Sequence, residues 1–485
     1  MQLATLIGPD LPDLPEGGRT EILGLTADSR EVKPGFLFAA LPGTKVDGTR
    51  FIPQALAQGA SALLVDALAE ISADVPVVAD RNPRRRLSLM AARFFGRQPE
   101  TVVAVTGTNG KTSIVTFVRQ IWAALGLEAA SVGTVGIVGP KGERALGHTT
   151  PDPVTLQAAL ADLADEGVTH LAMEASSHGL AQYRLDGVKV AAAAFTNLTR
   201  DHLDYHPTFD DYAYAKLRLF GEVMAPGGIA VINADADFCA EFEAVSWARG
   251  HHIISVGRKG RTICLVASKP TARGQVLDIV HGGRNYSVNL PLVGAFQASN
   301  ALVAAGLVIG VGGDAAKVFA ALENLKGAKG RLEEVAHLPN GASVYVDYAH
   351  TPDALENLLE ALRPHTKKRL VVVFGCGGDR DPGKRPQMGA VAAKLADLVY
   401  VTDDNPRSED PSVIRAAILA AANGAIEIAD RGEAIEAAMR ELKADDVLVV
   451  AGKGHETGQI IGDRTVHFSD HEAIEAVARA HGGQA

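Results

Sequence analysis

Cysteine is scarce in this sequence. Cys239, Cys264 and Cys376 are the three present, with no CxxC pair and no spacing that would hold a metal. That excludes a disulfide framework and a zinc module, and it suits a reducing compartment. No uninterrupted apolar run reaches the roughly 18 residues that a membrane-spanning helix needs. The opening stretch, MQLATLIGPDLPDLPEG, has neither a basic start nor a long apolar core, so no signal peptide is expected. Excess positive charge is also missing: a net charge of −10 argues against a nucleic-acid-binding surface. These absences leave a protein expected in the cytoplasm. Its 47% hydrophobic and 21% charged residues are ordinary for a globular chain. At 485 residues it exceeds what one core supports, so two to four domains are expected. Fifty glycines with abundant Ala and Val favour an α/β protein with many tight strand–helix turns.

The most informative stretch is residues 101–127, TVVAVTGTNGKTSIVTFVRQIWAALGL. A β-branched run over 101–106 reads as a buried strand. The loop GTNGKTS follows, then an amphipathic helix with apolar Ile114, Phe117, Val118, Ile121 and Leu125. Gly107 and Gly110 let backbone N–H groups turn toward an anion, and the helix start adds positive dipole. Lys111 supplies a point charge for outer phosphates, and the Thr112 hydroxyl can ligate Mg²⁺. Val105 stands where the full P-loop pattern has a glycine, so the loop is the shorter GxxGKT form. The stretch predicts binding of a nucleoside triphosphate.

Residues 1–97 read as a separate module with strands at GFLFAAL, SALLVD and PVVAD and a helix at IPQALAQG. Its DSR and GTKVDG segments read from composition as turns, and RNPRRR as a solvated helix start. A second module is expected over 98–330. It holds a strand at SVGTVGIVG, a capped helix after Asp152, and the strand VTHLAMEASSHGL, whose tip carries Glu174, Ser176, Ser177 and His178. The strand AAAAFTN ends on a second polar tip with Asp201, His202, Asp204 and His206. Two neighbouring polar tips beside a phosphate loop make a candidate Mg²⁺ site. The helix FDDYAYAKLRLF carries Lys216, which on sequence alone reads as a surface lysine. A third module, 331–485, repeats apolar strand, polar tip and helix, which predicts a parallel sheet wound on both faces. Asp347 and His350, Asp379 and Arg380, Asp404 and Arg407, and residues 453–456 follow successive strand ends, the edge where such sheets bind ligands. A phosphate loop joined to a second polar edge favours an ATP-driven ligase over a small-molecule kinase or an NTPase switch.

The set VTGTNGKTS, MEASSHGL, NLTRDHLDYH, YAYAKLRLF, GAFQASNALVA, KGRLE, VDYAHTPDAL, GCGGDRDPGKRPQMG, DDNPRSE and VAGKGHE, in that order over nearly the entire chain, resembles the Mur ligase family. The resemblance implies three domains: 1–97 binding a UDP-linked precursor, 98–330 a central P-loop ATPase, and 331–485 a Rossmann-like, doubly wound domain taking an amino acid. It implies a role in building peptidoglycan precursors for the cell wall, in a monomer that uses ATP and Mg²⁺. The carboxylate of UDP-N-acetylmuramoyl-L-alanyl-D-glutamate would take the γ-phosphate of ATP, and the amine of meso-2,6-diaminopimelate would then displace phosphate. L-lysine is the alternative acceptor. By the same resemblance Gly107, Thr108, Asn109, Gly110, Lys111, Thr112 and Ser113 would hold the phosphates, with Asn300, Arg331 and Asp347 on the rest of the nucleotide. Thr112, Glu174, His202 and Lys216, the last as a carbamate, would hold metal. Lys111, Glu174, His202 and Lys216 would be the catalytic set. Ala27, Ser29, Thr44, Lys45 and Val46, with Thr149, Thr150, Ser176, Gln182 and Arg184, would contact the UDP precursor. Arg380, Asp404, Asn405, Pro406, Arg407, Gly452 and Glu456 would form the diaminopimelate site. There Arg407 would clamp the distal carboxylate and Glu456 would meet the distal ammonium.

Overall fold

The computed structural model describes residues 1–9, 17–43, 46–199, 205–271 and 273–480. Their packing divides the chain into two units. The first comprises Met1–Lys111, Val118–Ser255 and Gly306–Gly313, and the second Thr112–Phe117, Val256–Ala305 and Asp314–Ala485.

The first unit opens with a parallel sheet of four strands in chain order, Gly24–Thr26, Phe36–Ala39, Ala62–Asp66 and Val77–Asp80. Alternation along each strand divides the apolar residues between its two faces. Leu37 and Leu64 pack with Leu87 and Met90 of helix Pro83–Phe95, while Phe38 and Leu63 pack with Ile52 and Ala55. The RNPRRR segment starts that helix, capped by the Asn82 side chain. It is not wholly solvated: Arg86 is buried and bonded to Asp80 at 2.6 Å.

The central sheet of this unit sets up the site. Strand Thr101–Thr106 lies between Val190–Phe195 and His170–Glu174, parallel to both. Ile229–Asn233 and Ala129–Gly133 extend the parallel set on either side. Val102, Val103, Ala104 and Val105 are all fully buried, which is why the strand reads as continuous apolar sequence rather than an alternation. SVGTVGIVG is two strands, not one: Ala129–Gly133 turns at Thr134 into antiparallel Gly136–Gly139. The turn matters, because Thr134 is where the sheet meets Glu174.

In the second unit, Ile263–Thr271, Gly274–His281 and Arg284–Leu290 form an antiparallel meander. A six-stranded sheet has the order Glu333–His337, Ser343–Asp347, Val447–Ala451, Leu370–Phe374, Leu398–Val401, Ile426–Glu427. It is parallel except for its first strand, which pairs antiparallel at the edge, and separate apolar clusters cover its two faces. Val447–Ala451 is last in the chain among the parallel strands yet lies between the first two. The order therefore reverses there. Val447–Ala451 does not lead directly into a helix, as the repeat predicted. A two-stranded hairpin, Gly458–Ile461 with Arg464–His467, intervenes before helix Asp470–Ala480.

Candidate active site

The phosphate loop is shaped by the neighbouring strand ends. Gly107 has φ of +146° and Gly110 +89°, and helix Lys111–Ala124 starts immediately after. Its first-turn N–H groups have no intrahelical acceptor, which is what makes such a terminus an anion site. A Cβ at Gly107 would overlap Thr196 Oγ1, so the sequence needs glycine there. Thr196 Oγ1 donates to Asn109 O at 2.6 Å, and Asn109 N–H donates to Asn197 Oδ1 at 2.9 Å. Thr108 Oγ1 lies 2.9 Å from Tyr212 OH. Lys111 Nζ donates to Gly107 O at 3.0 Å and Thr108 O at 2.8 Å, so the lysine folds back over its own loop.

Lys216 corrects the reading from its helix pattern. It is 1% exposed, not a surface side chain, and donates to Gly107 O at 2.8 Å. Its Nζ also stands 4.4 Å from the centre of the Tyr212 ring, one helical turn earlier. On the other flank Glu174 ends its strand buried, accepting Thr134 N–H at 2.8 Å and Thr134 Oγ1–H at 3.1 Å. A Cβ at Gly133 would overlap the Glu174 carboxylate. Thr112 is buried in the helix start. His202 lies outside the described residues, and so do Asp201 and Asp204. His206 is buried with its ring 5.3 Å from that of Tyr212, and the His178 ring lies 3.9 Å from the Tyr205 ring at a tilt of 37°.

Five residues expected at the UDP precursor form one connected network. Thr149 Oγ1 is 3.0 Å from Thr134 Oγ1. Thr150 Oγ1 donates to Glu174 O at 3.0 Å and accepts from Ser176 N–H at 3.1 Å. Arg184 donates to Thr150 O at 2.6 Å and to Gln182 Oε1 at 2.7 Å, and Gln182 in turn donates to Tyr205 OH at 3.0 Å. The network meets Glu174 at both its carboxylate and its carbonyl. In the N-terminal module Ala27 and Val46 are exposed, and buried Ser29 donates to Gln54 at 3.1 Å. Thr44 and Lys45 lie outside the described residues.

In the second unit Asn300 is buried on helix Ala295–Gly310 and donates to Gln297 Oε1 at 3.0 Å. Arg331 stacks its guanidinium 4.5 Å from the Tyr348 ring centre. The Asp347 carboxylate accepts Leu332 N–H at 2.7 Å and Ala349 N–H at 2.8 Å. Burial holds its pKa above the ordinary carboxylate value, and the Arg331 charge partly offsets that.

The residues expected at the acceptor follow strand ends of the same sheet. Asp404, Asn405 and Pro406 are buried, while Arg407 is half-buried with φ of +54°. Arg407 Nη1 donates to Gly378 O at 2.9 Å, and a Cβ at Gly377 would stand 2.7 Å from that nitrogen. Gly452 backs onto Asp404, whose Oδ2 would lie 2.6 Å from a Cβ there. Glu456 Oε2 accepts from Asn405 Nδ2 at 3.0 Å. Arg380 is not brought in: it is exposed and donates to Asp379 O at 3.3 Å. Thr134, Thr196, Asn197, Tyr205 and Tyr212 were not singled out from sequence. Tyr212 alone left a signal there, its i−4 spacing from Lys216.

The chain matches the family models for the Mur ligase family catalytic domain over residues 21–95, the Mur ligase middle domain over 105–308 and the Mur ligase glutamate ligase domain over 330–454. It belongs to the Mur ligase family and is an ATP-dependent ligase. The individual relatives narrow this further. The chain is 57% identical over 480 residues to UDP-N-acetylmuramoyl-L-alanyl-D-glutamate--2,6-diaminopimelate ligase of Bradyrhizobium diazoefficiens, covering 98% of this chain and 99% of that one. It is 54% identical to the ligase of the same name from Rhizobium meliloti, again covering 98% and 99%. A solved structure of a ligase of that name superposes with a TM-score of 0.75 at 33% identity, covering 99% of each chain.

Proposed function

We propose that this ligase joins 2,6-diaminopimelate to UDP-N-acetylmuramoyl-L-alanyl-D-glutamate at the expense of ATP, as a step of peptidoglycan precursor synthesis. The observation that carries the acceptor assignment is the acceptor edge. A half-buried guanidinium, Arg407, stands on the same short loop as Asn405, which holds the Glu456 carboxylate. Diaminopimelate has a second carboxylate and a second ammonium at its far end, and a fixed cation with a fixed anion matches that pair. Lysine offers nothing to Arg407.

The reaction needs activation because a carboxylate is a poor electrophile. An oxygen of the D-glutamyl carboxylate attacks the γ-phosphorus, the bond to ADP breaks, and an acyl phosphate forms. The acceptor amine then attacks the acyl carbon and loses its proton, the C–O bond breaks, and phosphate leaves with the former carboxylate oxygen. Residues 107–113 orient the phosphates, and Lys111 swings from its own loop carbonyls to the outer phosphates. Such transfer depends mainly on positioning and charge neutralisation. Asn300, Arg331 and Asp347 are assigned to the remainder of the nucleotide. Ala27, Ser29, Thr44, Lys45 and Val46 act with the Thr149–Arg184 network on the UDP precursor. In this reading residues 1–97, 98–330 and 331–485 are the precursor, ATP and amino-acid domains.

Among the described residues no three His, Cys, Asp or Glu side chains cluster as a metal shell. Mg²⁺ does not require one, since it keeps several waters and takes one or two carboxylates with substrate phosphates. Buried Glu174 and the Thr112 hydroxyl are hard oxygen donors of the right kind, with His202 and a carbamate on Lys216 as further ligands. The ion would supply charge neutralisation at the phosphates. Glu174 is held for that role by Thr134.

An oxygen-isotope experiment tests the sequence of steps. With ¹⁸O in the D-glutamyl carboxylate, one labelled oxygen appears in the released phosphate. Unlabelled phosphate from a productive turnover would exclude the acyl phosphate.

A further inference from the structure

One buried cation at the acceptor edge has no part in the mechanism above. Lys453 follows strand Val447–Ala451 and is fully buried. A lysine side chain carries three N–H donors, and three acceptors surround this one. They are Gly458 O at 2.6 Å, Glu456 Oε2 at 3.2 Å and Asn405 Oδ1 at 3.5 Å. Two belong to residues assigned to the acceptor, and the third begins the hairpin Gly458–Ile461.

That hairpin is bonded along the acceptor loop. Ile460 N–H donates to Asn405 Oδ1 at 2.9 Å, and Gln459 Nε2 donates to Asp404 O at 2.6 Å. Arg407 N–H donates to Ile460 O at 3.0 Å, and Gly462 N–H donates to Arg407 O at 2.7 Å. Residues 404–407 are thus held like an added strand, with Arg407 and Ile461 paired in parallel. The left-handed conformation of Arg407 is strained for a residue with a side chain, and the two main-chain bonds to the hairpin hold it. Glu456 is fixed by the same set. Both of its side-chain bonds fall on Oε2, and Oε1 accepts none among the described residues.

Burying a lysine is costly unless it is paired, and an apolar side chain would fill the space more cheaply. Every polar contact of Lys453 leads instead to the acceptor loop, to Glu456 or to the hairpin. We propose that Lys453 is a positioning residue for the acceptor site: with the Gly458–His467 hairpin it sets the orientation of Glu456, Asn405 and Arg407, and so contributes to acceptor specificity without touching the acceptor. The inference rests on the reading of residues 404–407 and 456 as the diaminopimelate site.

The test is steady-state kinetics of the full enzyme, with diaminopimelate, ATP and the UDP-linked dipeptide varied in turn, for Lys453→Met and Gln459→Ala. Loss of a charged hydrogen bond predicts a rise in the KM for diaminopimelate of about 10- to 100-fold for Lys453→Met. A smaller rise is expected for Gln459→Ala, and the KM values for the other two substrates stay at the wild-type level in both. Gln459→Ala keeps the buried cation, so it carries the test if Lys453→Met does not fold. An unchanged KM for diaminopimelate in a folded variant, or an equal rise in KM for all three substrates, overturns the inference. If the wild-type enzyme does not turn over diaminopimelate at all, the acceptor reading falls with it. If wild type does and the variants keep its KM, only the positioning role falls.

Discussion

Lys111 and Lys216 donate to the same oxygen, the main-chain carbonyl of Gly107, at 3.0 and 2.8 Å. One lysine belongs to the phosphate loop and the other to helix Phe209–Arg218, so the helix is tied to the turn that cradles the phosphates. Replacing Lys216 by Met keeps an apolar stem over Tyr212 but removes the polar head. ATP binding measured by calorimetry is expected to persist, while ADP formation with both co-substrates falls by about 10²-fold or more, the usual cost of losing an electrostatic contact in a transition state. Activity near wild type would remove Lys216 from the catalytic set.

Gly133 offers a more indirect probe of Glu174. The side chain of Gly133→Ala would collide with the carboxylate and push it off the bonds it accepts from Thr134. Displacement on the scale of an ångström costs about 10²-fold in rate. The expected result is a fall of that size in kcat with a much smaller change in the KM for diaminopimelate, measured by phosphate release.

The phosphate loop was legible in the sequence because backbone demands are written locally. A buried β-branched strand, two glycines at positive φ and a Lys-Thr pair at a helix start all fall within the twelve residues 101–112. Lys216 was not legible from its helix. There the apolar pattern points the wrong way: Tyr214 is 63% exposed, whereas Lys216 and Arg218 are buried. What buries Lys216 is a carbonyl more than a hundred residues earlier in the chain, and no local periodicity carries that. The hairpin Gly458–His467 was missed for a related reason. Its second strand is fully exposed, so it shows no inward-facing alternation, and its bonds to residues 404–407 are to main chain and amide groups. Arg407 was marked in the sequence by its place after an apolar strand, Leu398–Val401, and its expected task of meeting a distal carboxylate came from the family resemblance. Arg380 was assigned to the same task and stands exposed, bonded to its neighbour's carbonyl.

Stability of the second unit depends on an ion pair with no exposed surface. Arg431 donates to both oxygens of Asp470, at 2.7 and 2.8 Å, and to Ala451 O at 3.0 Å. Removing one partner strands a buried charge, which costs about 3–5 kcal/mol. Asp470→Ala is expected to destabilise by that amount in denaturant titration, whereas the double variant Arg431→Met with Asp470→Leu recovers most of the loss. Equal destabilisation by both would contradict a charge-based cost.

Burial pushes the Cys376 thiol up to about 11 from an ordinary value of 9.0. A raised folded-state value means that the unfolded thiol ionises first. The stabilising contribution is therefore complete below pH 9 and is lost as pH rises toward 11. At pH 8 a disulfide reagent should label Cys239 and Cys264 in the native enzyme and reach Cys376 after unfolding. In Cys376→Ala the decline in stability between pH 9 and 11 becomes shallower. Rapid native labelling of all three thiols would contradict the buried placement.

In the proposed reading Arg407 and Glu456 select an acceptor with a second carboxylate and a second ammonium. An acceptor panel tests it most directly: ADP formation from ATP and UDP-N-acetylmuramoyl-L-alanyl-D-glutamate with meso-diaminopimelate, L-lysine or no amine, for wild type and Arg407→Ala. Sustained turnover of wild type is expected with diaminopimelate alone, and in Arg407→Ala a loss of about 10²-fold or more in kcat/KM for that acceptor, with unchanged ATP affinity. Comparable turnover with lysine, or an Arg407→Ala enzyme that adds diaminopimelate as well as wild type, would contradict that reading.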